Sequence, residues 1–183
     1  MTTDADPASE PLARTDYRVA WRRDDPELER DAIAFWRRLG ILPPGVSPEA
    51  RAKELCCLGY IDGEVAAVST ASVESLPFLR ARAALYRCAT APEHRRRWLV
   101  AQISVQSFAA LERWSAEHPE AGVKGMAAIL DTPMYVQMKR KPVWKFRKDF
   151  ELVLIGHTND GLQMRMAWFP GVRLDTPDQP YAG

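Results

Sequence analysis

Two apolar, β-rich stretches, Leu55 to Ile61 and Val65 to Val73, meet at Asp62-Gly63, a dipeptide that tolerates the positive φ angles of a tight hairpin turn. That pair predicts adjacent antiparallel strands and fixes where a sheet begins. The next segment is of another kind. After Pro77, Ala83 to Thr90 reads as a third strand, Pro92-Glu93 opens a long helix, and Val123 to Leu130 reads as a buried strand. The helix carries Val100, Ile103, Ala110, Leu111 and Trp114 on its apolar side. A strand–helix–strand crossover beside a hairpin implies a mixed sheet with helices on its faces, with the two crossover strands parallel.

The rest of the chain extends this frame. Tyr17, Val19 and Trp21 alternate with polar residues as in a half-buried strand, and Asp24-Asp25-Pro26-Glu27 supplies a cap, a first-turn proline and an acid for a helix. That helix repeats Leu28, Ala32, Phe35, Trp36 and Leu39 along one stripe and meets Gly40 as its C-terminal stop. Ser47-Pro48-Glu49 caps a second, short helix ending before Leu55. Thr132-Pro133 starts another short helix, and Phe150 to Gly156 with Leu162 to Phe169 form a last hairpin around Asn159-Asp160-Gly161. The expected fold class is α/β, a mixed central β-sheet with helices on both faces. The domain spans residues 17–170, between a flexible tail at 1–16 and a second tail at 171–183.

With 183 residues there is room for one domain, and no apolar run approaches the ~20 residues needed to cross a bilayer, so no membrane partner is expected. Cys56, Cys57 and Cys88 have no CxxC spacing and sit in apolar runs, which fits a reducing, cytoplasmic setting and buried thiols. No His, Cys or acidic cluster has metal-ligand spacing, so no metal is expected. The net charge of +1 hides two basic groups, His94-Arg95-Arg96-Arg97 and Lys139 to Lys148. Cations in the first turn of a helix oppose its dipole, so the first group points to an anionic ligand. Lys139-Arg140-Lys141, at a helix C-terminus, needs no ligand to explain it. Trp144, Phe146 and Phe150 read as one face of a strand.

The segment Thr90-Ala91-Pro92-Glu93-His94-Arg95-Arg96-Arg97-Trp98-Leu99-Val100-Ala101 resembles the signature of the GNAT N-acyltransferase superfamily, V-x-P-E-x-R/Q-x-x-G-x-G/A. The order of elements is also that family's order. The resemblance implies a GNAT-like fold from Tyr17 to Phe169. It also implies an N-acyltransferase that moves an acyl group from an acyl thioester, acetyl-CoA or another acyl-CoA, to a small-molecule amine. The donor would lie against Cys88, Ala89, Thr90, Arg95, Arg96, Arg97, Trp98, Leu99 and Val100, where free N–H groups and the helix dipole favour a pyrophosphate. The backbone near Cys88 to Thr90 would polarise the thioester carbonyl.

Trp98 and Val100 stand where the family has glycines, so two side chains occupy the usual approach of the phosphates. The family's Asn and Tyr on the next helix align on Asp131 and Met138, which match neither. Tyr135, one turn before Met138, is the displaced candidate for the acid that protonates the leaving thiolate. Glu74 is the candidate base. Three readings stay open: an acyltransferase that holds its donor through Arg95, Arg96 and Arg97, a GNAT-like domain that binds but does not catalyse, and a nucleic-acid binder using both basic groups, the least favoured. An acidic acyl carrier protein is a further donor source that would meet the basic groups. A homodimer is compatible with the sequence.

Overall fold

The computed structural model describes residues 15–95, 97–131, 140–147 and 150–174. Eight strands form one sheet: β1 (Thr15–Val19), β2 (Leu55–Ile61), β3 (Glu64–Leu76), β4 (Ala81–Thr90), β5 (Val123–Leu130), β6 (Val143–Arg147), β7 (Phe150–His157) and β8 (Gln163–Trp168). Their order across the sheet is β1-β2-β3-β4-β5-β8-β7-β6, and β4 with β5 is the parallel pair in an otherwise antiparallel arrangement. Helices α1 (Pro26–Leu39), α2 (Pro48–Ala52) and α3 (Arg97–Glu117) accompany it. The expected mixed α/β fold is therefore present, with the crossover pair where the sequence put it.

Local chemistry explains the termini. The Asp25 carboxylate accepts from the N–H groups of Glu27 and Leu28 at 3.1 and 3.2 Å, and Gly40 adopts the left-handed conformation with its N–H bonded to the Trp36 carbonyl. At the β2–β3 turn Asp62 and Gly63 both have positive φ, 51° and 87°, as a two-residue hairpin loop of this twist requires. On α3 the buried residues Leu99, Ile103, Ser107 and Leu111 recur every four residues, with Ser104 and Phe108 beside them. Leu99 and Ile103 pack on Cys57, Ile61, Ala66 and Ala67. Phe108 and Leu111 join Tyr86, Met126, Phe150 and Phe169 in the main core. The stripe of α1 buries Leu28, Phe35 and Trp36 on Leu55, Leu58, Val68 and Ala91, each large side chain contributing roughly 1.5–3 kcal/mol.

Five expectations change. Strand β1 starts at Thr15, paired with Ile61, rather than at Tyr17, and it stops at Val19. Trp21 leaves the strand for a turn, its buried indole set edge-on to Trp114 at 5.5 Å. Helix α3 starts at Arg97 rather than at Pro92, because Pro92–His94 form a separate 3₁₀ turn. Strand β6, which the expected order left out, adds an outer edge to the β7–β8 hairpin, with Trp144 opposite Leu152. Cys56 and Cys57 are buried as expected, but Cys88 is exposed. The helix expected from Thr132-Pro133 lies outside the described residues.

Candidate active site

The parallel ladder between β4 and β5 pairs Arg82 with Val123, Ala84 with Met126, Leu85 with Ala127 and Tyr86 with Ala128, and ends there. Strand β4 continues four residues further to Thr90, and β5 runs on to Leu130. Their carboxyl ends thus part, leaving a gap in the middle of the sheet. On its other edge β4 stays fully paired, in unbroken register with β3 from Leu76↔Ala81 to Ala67↔Thr90.

The direction of each backbone group in the gap follows from one hydrogen bond. Ala91 N–H donates to the Ala66 carbonyl at 2.8 Å, across the β3 edge. Antiparallel partners exchange hydrogen bonds at every second residue, so Ala89 and Arg87 also bond toward β3. The N–H groups of Cys88 and Thr90 turn the opposite way, toward the β5 side where the ladder has ended. Two peptide donors therefore face the gap, at the strand ends where ligands of open α/β sheets gather.

Side chains alternate as well. Tyr86, Cys88 and Thr90 lie on the α3 face, where the Tyr86 hydroxyl and Ser104 Oγ are 3.2 Å apart. Cys88 is reached by solvent yet closely surrounded by protein, and desolvation, set against a hydrogen bond from Tyr86 and reinforced by the Asp131 charge, pushes its thiol up to about 11. It is thus a neutral thiol at neutral pH. On the opposite face, Arg87 is 45% exposed, directly across from Thr70, with Nη1 3.4 Å from Ser72 Oγ and 3.7 Å from Glu54 Oε2. Glu54 is held more closely by Arg51 at 2.5 Å.

Beyond Thr90 the chain turns through Pro92–His94 before α3 begins. The Glu93 carboxylate accepts from Arg38 Nη1 at 2.9 Å, and Arg38 Nη2 donates to the Val65 carbonyl at 3.2 Å, so α1 fastens this turn to β3. Backbone hydrogen bonding and the nearby Arg38 guanidinium lower the Glu93 pKa. The first four N–H groups of α3, those of Arg97, Trp98, Leu99 and Val100, are the ones a helix cannot satisfy internally. The Leu99 side chain is fully buried in the core, so only its backbone faces outward.

Of the residues singled out from sequence, the gap and the following turn bring together Cys88, Ala89, Thr90, Arg95 and the backbone of Arg97 to Val100. Arg95 is exposed. Arg96, Tyr135 and the side chains of Arg97 and Trp98 lie outside the described residues. Glu74 is not brought to the gap: it pairs with Ala83, five residues before Cys88, or about 16 Å along the strand at ~3.3 Å per residue. That separation rules against direct proton transfer between Glu74 and a group at Cys88. Arg87 is the residue that sequence reasoning missed, although a single charge inside the apolar run Ala83 to Thr90 was the available signal. Among the described residues no cluster of His, Cys, Asp or Glu has the spacing of a metal site, and no helix is long and apolar enough to cross a membrane.

No protein-family model matches the sequence, and no curated protein matches it. Solved structures do match the fold. The acetyltransferase of GNAT family from Streptococcus pneumoniae superimposes with a TM-score of 0.50 at 10% identity, over 85% of this chain and 99% of the other. Arabidopsis thaliana NAA60, in complex with a bisubstrate analogue, gives 0.50 at 14% identity, over 87% and 100%. FeeM, an N-acyl amino acid synthase from uncultured soil microbes, gives 0.50 at 9% identity, over 87% and 93%. With its strand order, its parallel β4–β5 pair parted at the carboxyl ends, and these likenesses, the chain has the fold of the GNAT acyltransferase superfamily.

Proposed function

We propose that this protein transfers an acyl group from an acyl thioester, acetyl-CoA or a longer acyl-CoA, to an amine. The observation that carries this reading is the parting of β4 from β5 with the N–H groups of Cys88 and Thr90 turned into the gap. A thioester carbonyl placed there receives hydrogen bonds that strengthen as its oxygen gains charge, which lowers the barrier to attack. The amine nitrogen attacks the carbonyl carbon, the C–N bond forms, the C–S bond breaks, and the amine gives up a proton while the departing thiolate takes one. No covalent enzyme intermediate is needed.

The donor's pyrophosphate is assigned to the turn and the first turn of α3, held by the backbone N–H groups of Arg97 to Val100 and by the cationic side chains of Arg95, Arg96 and Arg97. Tyr135 is the assigned acid for the thiolate. Glu74, on β3 and on the sheet face that carries Arg87, accepts the amine's proton only through intervening water. Asp131, just past the end of β5 and close enough to act on the Cys88 thiol, is the nearer carboxylate. An acidic carrier protein as donor source follows from the same cationic side chains.

Calorimetric titration with acetyl-CoA, longer acyl-CoAs and free CoA tests the reading, on the wild type and on the triple variant Arg95→Ala, Arg96→Ala, Arg97→Ala. Micromolar binding that the triple variant loses, with thiol release when amines are added, is the expected result. Binding without thiol release across an amine panel would identify a domain that binds without catalysing, in keeping with Trp98 and Val100 at the glycine positions. Absence of binding by every CoA species would leave only carrier-protein delivery as a source of acyl groups.

A further inference from the structure

We infer that the amine acceptor carries a carboxylate close to its nitrogen, as a free amino acid does, and that Arg87 binds that carboxylate. The inference rests on the acyl-transfer reading and adds the class of acceptor to it. Its basis is the place of Arg87 in the strand. The residue is the first of β4 beyond the last β4–β5 pair, and it is the immediate neighbour of Cys88, whose N–H faces the gap. Its side chain points to the face opposite α3, the face an acceptor can reach while a donor bound at the start of α3 occupies the other side of the gap.

The guanidinium is engaged by the protein only in part, through Nη1. Its one hydrogen bond among the described residues is the long contact of Nη1 with Ser72 Oγ, 3.4 Å, and Glu54, at 3.7 Å, is beyond hydrogen-bonding distance and already engaged by Arg51. The planar fork of Arg87 therefore keeps the donors that match a carboxylate in two parallel hydrogen bonds. Its position also explains its cost. A charged side chain in the apolar run Ala83 to Thr90 gives no core packing, and the contacts of Nη1 with Ser72 and Glu54 hold it beside the gap.

The test pairs acids with their amides. L-Leucine, L-phenylalanine and L-glutamine are compared with leucinamide, phenylalaninamide and glutaminamide, on the wild type, Arg87→Gln and Arg87→Lys, in two assays. The first is binding of each compound alone by calorimetry; the second is thiol release from acetyl-CoA and from a long-chain acyl-CoA. At least one acid should bind about 10- to 100-fold more tightly than its amide, the worth of a charge-assisted pair. Arg87→Gln should bring that ratio close to one through KM rather than through donor affinity, and Arg87→Lys should restore part of it. Equal binding of acids and amides, or a ratio that Arg87→Gln leaves intact, overturns the inference while thiol release from the amides upholds acyl transfer. Acids that bind through Arg87 with no thiol release from any donor leave the carboxylate site standing and overturn the acyl-transfer reading.

Discussion

Arg38 joins Glu93 to Val65, donating to the Glu93 carboxylate at 2.9 Å and to the Val65 carbonyl at 3.2 Å. One side chain on α1 thus ties the turn that precedes α3 to the start of β3. The ion pair is exposed on both sides, and exposed pairs add little to stability. Arg38→Ala should therefore lower the melting temperature by only on the order of 2 °C. Its larger effect should fall on donor affinity, because the turn must hold its shape to present the N–H groups beyond it. The lowered Glu93 pKa sets the pH dependence: the contribution is present above the ordinary carboxylate range and is lost as pH falls through the lowered value. Calorimetric titration with acetyl-CoA at pH 7 and at a pH below the lowered Glu93 value, on wild type and Arg38→Ala, checks both statements. A variant that binds as well as wild type at both values would remove the turn from donor binding.

Gly125 on β5 packs its backbone against β8 with no space for a side chain. A Cβ there would lie 2.3 Å from the Ala167 carbonyl oxygen, 2.7 Å from the Met166 methyl and 3.1 Å from Trp168 Cα. Two of those neighbours are backbone, which cannot yield without breaking the β5–β8 ladder. Gly125→Ala should cost about 3 kcal/mol or more in urea denaturation, at the upper end of overpacking penalties. A cost below about 1 kcal/mol would mean that the two strands can separate cheaply.

The readable parts of this fold are those decided by neighbours in sequence. Asp62-Gly63 announced its positive φ angles, Asp25 its cap and Gly40 its left-handed stop, because each of these conformations is set within a few residues. Trp144, Phe146 and Phe150 read as one strand face, whereas Trp144 lies in β6 and Phe150 in β7, because the pairing of these two strands with each other is not written in their alternation. The start of α3 was misplaced because Pro92 and Glu93 look like a helix start, whereas Ala91 is held to Ala66 and Glu93 to Arg38, both distant in sequence. The same limit applies to the site. The turn after Thr90 was visible as a motif, but the register that carries Glu74 away from Cys88 and sets Arg87 beside the gap is a property of the assembled sheet.

A buried polar seam joins α3 to the sheet. Ser107 Oγ lies 2.7 Å from the Ile103 carbonyl and 2.9 Å from Ser69 Oγ, which lies 3.1 Å from the Cys57 carbonyl, so two hydroxyl protons are shared among three contacts. Both serines are fully buried. Ser107→Ala leaves Ser69 with one partner fewer and should cost about 1–2 kcal/mol. The double variant Ser69→Ala, Ser107→Ala should cost less than the sum of the two single changes, since each single change already removes the contact between the two hydroxyls. Denaturation of all four proteins gives the coupling, and strict additivity would show that the two hydroxyls do not interact.

Cys88 offers a chemical reading of the gap itself. Burial pushes the thiols of Cys56 and Cys57 up to about 12, and both are closed to solvent, whereas Cys88 is exposed with its thiol pushed up to about 11. Iodoacetamide should therefore modify one cysteine in the native protein, slowly at pH 7.5. The thiolate fraction grows about tenfold per pH unit below the pKa, so the rate at pH 9.5 should be about 100-fold higher while the fold is intact. A flat rate from pH 7.5 to pH 9.5 would mean a thiol already ionised, contrary to the desolvation and the Asp131 charge that push it up. Cys88 lies on the strand whose N–H groups face the gap, so a donor bound there covers the thiol. Acetyl-CoA at saturation should slow the modification at least tenfold, and Cys88→Ser should abolish it. Protection by acetyl-CoA in the wild type but not in the Arg95→Ala, Arg96→Ala, Arg97→Ala variant would connect the turn before α3 to the gap between β4 and β5 as one donor site. An unchanged rate at saturating acetyl-CoA would place any bound donor elsewhere on the protein.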